Sequence, residues 1–180
     1  SNLTIDDGLV GYWKMDEGAG TWVKDYSRYA NHGTMNNMAA DDWVTTSAPV
    51  SFDNPYALDF DGSDDYVQIA HSTELNPAAV TRSIWIKSDV TLTGSTENSF
   101  IRKQKQVETG DSIEWYQGEV QFWSGAGSAE YTTDLTADTW YHLAGTWDGH
   151  TVRAYYNGTL VQEISYDDLE NTNQPLRIGG

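Results

Sequence analysis

Two glycine-containing dipeptides, Asp148-Gly149 and Asn157-Gly158, divide residues 139–164 (TWYHLAGTWDGHTVRAYYNGTLVQEI) into three short apolar-rich runs. Asp-Gly and Asn-Gly favour type I′ turns, because both central residues need positive φ, which Asn and Asp tolerate and Gly adopts freely. Between the turns, Val152, Ala154 and Tyr156 alternate with Thr151, Arg153 and Tyr155, the two-residue period of a strand with unlike faces. Residues 140–147, 151–156 and 159–164 therefore predict a three-stranded antiparallel meander. Whatever this chain folds into must accommodate that unit.

At 180 residues with no linker-like stretch, the chain suits one domain with a well-covered core. Cysteine is absent, which excludes disulfides and thiolate metal sites. No apolar run of about 18 residues occurs, so no helical membrane insertion is expected. The first residues, SNLTIDDGLVGYW, lack the basic and apolar regions of a signal peptide; a leader, if there is one, is expected outside this sequence. Acidic side chains number 27 against 10 Lys plus Arg, a net charge of −17, which would repel phosphate backbones and excludes nucleic acid as a partner. That acidity fits a solvated surface, and a few of the carboxylates are also available to calcium.

Elsewhere short strands recur every 8 to 12 residues. Residues 9–15 (LVGYWKM) read as a first strand and 21–24 as a short second one, followed by irregular, locally hydrogen-bonded chain at 25–34 (DYSRYANHGT). Residues 35–56 read as a surface excursion with one strand near Trp43. Further strands are expected at 57–60, 65–70, 80–88, 100–105, 112–116, 119–124, 131–135 and 176–178, with a helical turn at 75–79 and a flexible tip at 125–129. In the 80–88 segment Ile84 and Ile86 alternate against Trp85. No long helix is indicated. The pattern predicts an all-β, two-sheet antiparallel sandwich.

Three stretches, LVGYWKMDEGAGTWVKDYSRYANHGT, ALDFDGSDDYVQI and TWYHLAGTWDGHTVRAYYNGTLV, together resemble the laminin G-like, concanavalin A-type jelly rolls of bacterial secreted proteins. Order and spacing match over nearly the whole chain, so residues 1–180 are expected to form one such domain. The resemblance implies an extracellular or cell-surface setting. It also implies a closing strand after the final IGG, carrying an acidic pair; without it the strand around Tyr12 would present an unpaired edge. One fold hosts many sites, so the resemblance speaks to function far less than to architecture.

Calcium needs six to eight oxygens. The 25–34 loop offers the Asp25 carboxylate and backbone through Asn31 and Gly33, and the resemblance implies a structural calcium there, with a further Asp from the closing strand. The alternative is a loop held by Asx-type hydrogen bonds alone. Asp59, Asp61, Asp64 and Asp65 lack EF-hand spacing and read as a hairpin turn. Catalytic patterns are missing: no Glu-x-Asp-x-x-Glu strand like that of related jelly-roll glycosidases, no compact lyase motif, no nucleophile elbow and no phosphate loop. Asp167, Asp168 and Glu170 fall in a polar loop. His32, His71, His142 and His150 are scattered without an i, i+4 pair, which argues against zinc. Of two glycosylation sequons, Asn157-Gly158-Thr159 is explained by its turn and Asn2-Leu3-Thr4 by chance.

Aromatic residues make up 13% of the chain, with eight Trp and eleven Tyr. They suit β cores, and they also make platforms for the apolar face of a sugar ring, with polar neighbours taking its hydroxyls. Family patterning implies core packing for Trp13, Trp85, Trp140 and Trp147. Trp115, Tyr116, Trp123 and Tyr131 cluster along the hairpin of residues 112–135. If Val120 and Phe122 point inward, alternation puts Gln121 and Trp123 outward. Together with Arg102, Glu119 and Glu130 they form a candidate glycan shelf, unless both faces of the sheet are covered. The function expected is a non-catalytic binding module for a glycan or polysaccharide, on a scaffold stiffened by calcium. The alternatives are an adhesion or spacer domain contacting protein or neighbouring domains of its parent, and an ancillary domain of a glycoside-active enzyme.

Overall fold

The computed structural model describes residues 7–46, 48–94, 96–106, 109–125, 127–167 and 172–180. The Asn2 sequon and the loop acids Asp168 and Glu170 lie outside them. Among the described residues there is no α-helix, only a 3-10 turn at Thr73–Leu75, slightly upstream of the expected helical turn.

Eight strands form one antiparallel sheet in the order β1 (Trp22–Val23), β2 (Gly33–Asn36), β5 (Tyr66–Ile69), β14 (Leu176–Gly179), β7 (Glu97–Gln106), β8 (Thr109–Tyr116), β9 (Glu119–Ser124), β10 (Gly127–Thr132). Against it packs a four-stranded sheet, β13 (Thr159–Ser165), β12 (Thr151–Tyr156), β11 (Tyr141–Trp147), β6 (Val80–Ile86). A short ladder joins β3 (Trp43–Val44) to β4 (Ala57–Leu58). This is the expected two-sheet sandwich, and the meander is its β11–β12–β13 layer.

Turn chemistry explains most of the hairpins. Asn157 and Gly158 both have positive φ (49° and 77°), as a type I′ turn requires. Gln117-Gly118 does the same between β8 and β9 (52° and 88°). Asp148-Gly149 works otherwise: only Gly149 is left-handed, and the Asp148 carboxylate closes the loop by accepting the His150 and Thr151 amides at 3.1 and 2.9 Å.

The core lies between the sheets. Val67, Ile69, Ile101, Ile113, Trp115, Val120, Phe122, Leu176 and Ile178 meet Val80, Leu143, Trp147, Val152 and Ala154 from the other layer. Gly145 lets the layers approach: a Cβ there would lie 2.0 Å from the Phe122 ring. At one end the core turns polar, where Arg82 of β6 pairs with Asp111 of β8. Lys103 of β7 donates there to Asn76 Oδ1 (2.6 Å) and to the Thr172 carbonyl.

Three expectations are corrected. Residues 9–15 are not a strand; they hold a single bridge, Trp13 to Asp25, because side chains take over the pairing. The Tyr12 amide donates to Asp25 Oδ1 (2.8 Å) and the Trp13 indole to the Asn31 carbonyl (2.8 Å). Residues 33–36, read as irregular chain and excursion, are β2, paired on both sides. Residues 127–129 of the expected tip are instead the start of β10, with Gly127 against the Tyr166 ring.

Candidate functional site

On the face of the eight-stranded sheet turned away from the core, the registers line up into one row. Trp22, Thr34, Gln68, Arg177, Arg102, Ser112, Trp123 and Ser128 are successive Cα partners across all eight strands. Neighbouring strands are about 4.8 Å apart, so the two indoles are separated by roughly 29 Å of sheet. Next to this row, Ser99, Glu114, Gln121 and Glu130 are partners across β7 to β10, and beyond them Glu97, Tyr116, Glu119 and Thr132.

Trp123 is half-buried, and its indole is held in place. Its Nε1–H donates to Gln121 Oε1 (2.8 Å), Gln121 Nε2 donates to Glu119 Oε2 (3.1 Å), and Thr132 Oγ1 donates to Glu119 Oε1 (3.1 Å). Gln121 is only 4% exposed, so this chain orders the ring before any ligand arrives. Glu114, 9% exposed, sits beside it with Ser112 Oγ at 3.5 Å. Burial, reinforced by the Glu97 carboxylate, pushes the Glu114 carboxyl up; the Trp123 and Ser112 donors and Arg102 oppose this.

The face gathers four of the six residues named from sequence: Arg102, Tyr116, Gln121 and Trp123. Two are elsewhere. Trp115 shares the parity of Ile113 and is a core residue, 0% exposed, its buried Nε1 without a partner. Tyr131 pairs with the inward Val120 and packs on Tyr156 of the opposite sheet, ring centroids 5.2 Å apart. Arg177, Gln68 and Trp22 were missed because strand order is not written in local sequence.

The outer face of the four-stranded sheet carries a second aromatic feature. Trp85 and His142 are cross-strand partners with rings 5.2 Å apart, and with Trp140, Asn157, Gly158 and Pro49 they line a shallow recess of about 410 Å³. Burial lowers the His142 pKa. Trp85 and Trp140 are thus not core residues, unlike Trp147; the alternation of Trp85 against Ile84 and Ile86 already carried that signal.

The Asp25 loop does not fit calcium. Asp25 is 2% exposed, and its carboxylate already accepts four hydrogen bonds: from the Tyr12 and Ser27 amides at Oδ1, and from Ser27 Oγ and the Asn31 amide at Oδ2, all at 2.7 to 2.8 Å. The Asn31 carbonyl is taken by Trp13, and Gly33 lies in β2, where a Cβ would strike Val67 at 2.4 Å. Asp61, Asp64 and Asp65 bring carboxylate oxygens within 4.8 Å of one another. Two of them accept backbone amides of their own turn, and Asn37 donates to the third.

A family model described as "Concanavalin A-like lectin/glucanases superfamily" matches residues 61–180. No curated protein sequence matches the chain. Solved structures similar in fold include the binding domain of botulinum neurotoxin DC in complex with SialylT (13% identity, TM-score 0.66, 97% of this chain and 43% of that one). The botulinum neurotoxin serotype C1 binding domain aligns at 16% identity and TM-score 0.68, over 98% and 43%. The DC binding domain in complex with rat synaptotagmin II aligns at 15% and 0.59, over 97% and 44%. The chain therefore spans less than half of these structures, and at such identities they speak for the fold.

Proposed function

Because the chain belongs to the concanavalin A-like lectin/glucanase superfamily, we propose that it is a binding module that recognises a glycan without turning it over, as part of a protein working outside the cell. The observation that carries this reading is the pinned Trp123 indole on a polar sheet face. A sugar ring stacked there would bury its C–H face on the indole while Glu114, Tyr116 and Ser128 lie within a strand or two to receive its hydroxyls. The row continues across the sheet to Trp22, which suits an extended chain of sugars running across the strands. The similar neurotoxin domains, one in complex with SialylT and one with rat synaptotagmin II, support recognition of an external partner as a use of this scaffold. Titration calorimetry of wild type and Trp123→Ala against neutral and acidic oligosaccharides tests it. Binding that the substitution abolishes supports the reading; no binding at millimolar sugar would leave an adhesion or spacer domain.

A further inference from the structure

Arg102 and Arg177 are direct Cα partners on adjacent strands, and both side chains point to the same outer face. Like charges directly opposite in a ladder repel, and sheets ordinarily avoid the arrangement. Among the described residues neither guanidinium has an ion-pair partner; the ion pairs there join Lys14, Arg82, His150 and Arg153 to other acids. Arg177 instead places its guanidinium carbon over the Tyr66 ring, 4.5 Å from the centroid, a cation–π contact that restrains the side chain without neutralising it. Ser112 separates Arg102 from Trp123 in the row, one strand spacing on each side.

We infer that this pair is an anion subsite, and that the glycan bound on this face is an acidic one whose carboxylate or sulfate group bridges Arg102 and Arg177 while a neighbouring ring lies on Trp123. The inference rests on the glycan reading of the face and narrows its ligand class. Two adjacent guanidiniums can offer several N–H donors to one planar or tetrahedral anion, where a single lysine offers only a point charge. The net charge of −17 does not forbid this. At physiological ionic strength, charges more than about 8 Å away are largely screened, so the two local cations dominate at the subsite. Of the acids of the face, Glu119 and Glu130 lie on β9 and β10, and Glu97 lies at the far end of β7. Glu114 on β8 is the carboxylate nearest Arg102 in the registers, so the anion is biased to the β14 side of the pair.

Calorimetry against oligogalacturonate, a sulfated chondroitin oligosaccharide and neutral cellohexaose, at low and high salt, separates the possibilities. The inference expects at least one acidic probe to bind more tightly than cellohexaose and to weaken with salt. It further expects Arg102→Gln and Arg177→Gln each to weaken that probe by about tenfold or more, the scale of a lost charge-assisted hydrogen bond. Comparing the sulfated chondroitin oligosaccharide with its desulfated form, which keeps the glucuronate carboxylates, tells carboxylate from sulfate. Arg177→Lys keeps the charge without the fork and should recover only part of the affinity; thermal melts check that the variants are folded. Cellohexaose binding as well as the acidic probes, without salt dependence, would overturn the acidic subsite and leave the glycan reading standing. If no probe binds, both fall.

Discussion

Arg82 of β6 and Asp111 of β8 face one another across the sandwich, each side chain 8% exposed, and form the ion pair that ties the two sheets at one end of the core. Lys103 lies close by, its pKa lowered chiefly by burial, with the nearby Arg82 charge adding to this and Asp111 opposing it. Removing Asp111 would strand two buried cations with no carboxylate among their described partners. Asp111→Ala should therefore cost about 3–5 kcal/mol in urea unfolding, whereas replacing both partners with apolar residues (Arg82→Met with Asp111→Leu) should restore much of it. Equal losses in the single and double variants would show that packing, not charge, governs the site.

Gly145 and Phe122 define how closely the sheets can pack. Gly145→Ala puts a methyl into the Phe122 ring, and overpacking of this kind costs about 1–3 kcal/mol. Combining it with Phe122→Leu should cost less than the sum of the singles, because the smaller side chain vacates the volume. Strict additivity in the double-mutant cycle would refute the contact.

Asp25 organises its loop as an acceptor. Asp25→Ala leaves the Tyr12, Ser27 and Asn31 amides short of a partner and should cost roughly 3 kcal/mol or more. With those four hydrogen bonds occupying both oxygens, a chelator should leave the wild-type Tm unchanged. A large chelator-dependent drop would mean that the loop rearranges around a cation.

Glu114 makes stability pH-dependent in a stated direction. Burial and Glu97 raise its pKa in the folded state, so the native protein holds this proton longer than the unfolded chain does. Stability from this group falls as pH rises from the ordinary glutamate range through the raised folded value, and the penalty is complete above it. Glu114→Gln should raise the Tm at neutral pH and flatten that part of the profile. A variant less stable than wild type at pH 7 would mean that the carboxylate is satisfied in its charged form.

Layer and turn were legible in the sequence, while the site was legible only in part. Asn157-Gly158 and the alternation in 151–156 specify the meander because both are local properties of a strand and its turn. Trp115 and Trp123 show where local reading stops. They sit on paired strands, yet one shares the parity of Ile113 and the other opposes Phe122, so nearness in sequence misassigned Trp115 that parity would have placed correctly. Arg102 and Arg177 are 75 positions apart, and only the insertion of β14 between β5 and β7 makes them neighbours. The strand expected at 9–15 failed for another reason: the Asp25 carboxylate takes the Tyr12 amide and the Asn31 carbonyl takes the Trp13 indole, in place of a ladder.

Gln121 tests whether the indole shelf depends on order as well as on area. Its carbonyl accepts the Trp123 Nε1–H while its amide is anchored to Glu119, so Gln121→Ala keeps the indole and frees its orientation. A mobile ring must be fixed again on binding, at an entropic cost of about 0.5–1.5 kcal/mol per immobilised side chain. Gln121→Ala should thus weaken saccharide binding roughly two- to thirteenfold by that range, less than Trp123→Ala. The Trp123 indole N–H resonance in a nitrogen-15 spectrum should lose its protection from exchange at the same time. Trp85→Ala, on the opposite sheet, should leave both readouts unchanged. If Trp85→Ala abolishes binding and Gln121→Ala does not, the ligand sits in the Trp85–Trp140 recess instead, and the face built around Trp123 is not the site.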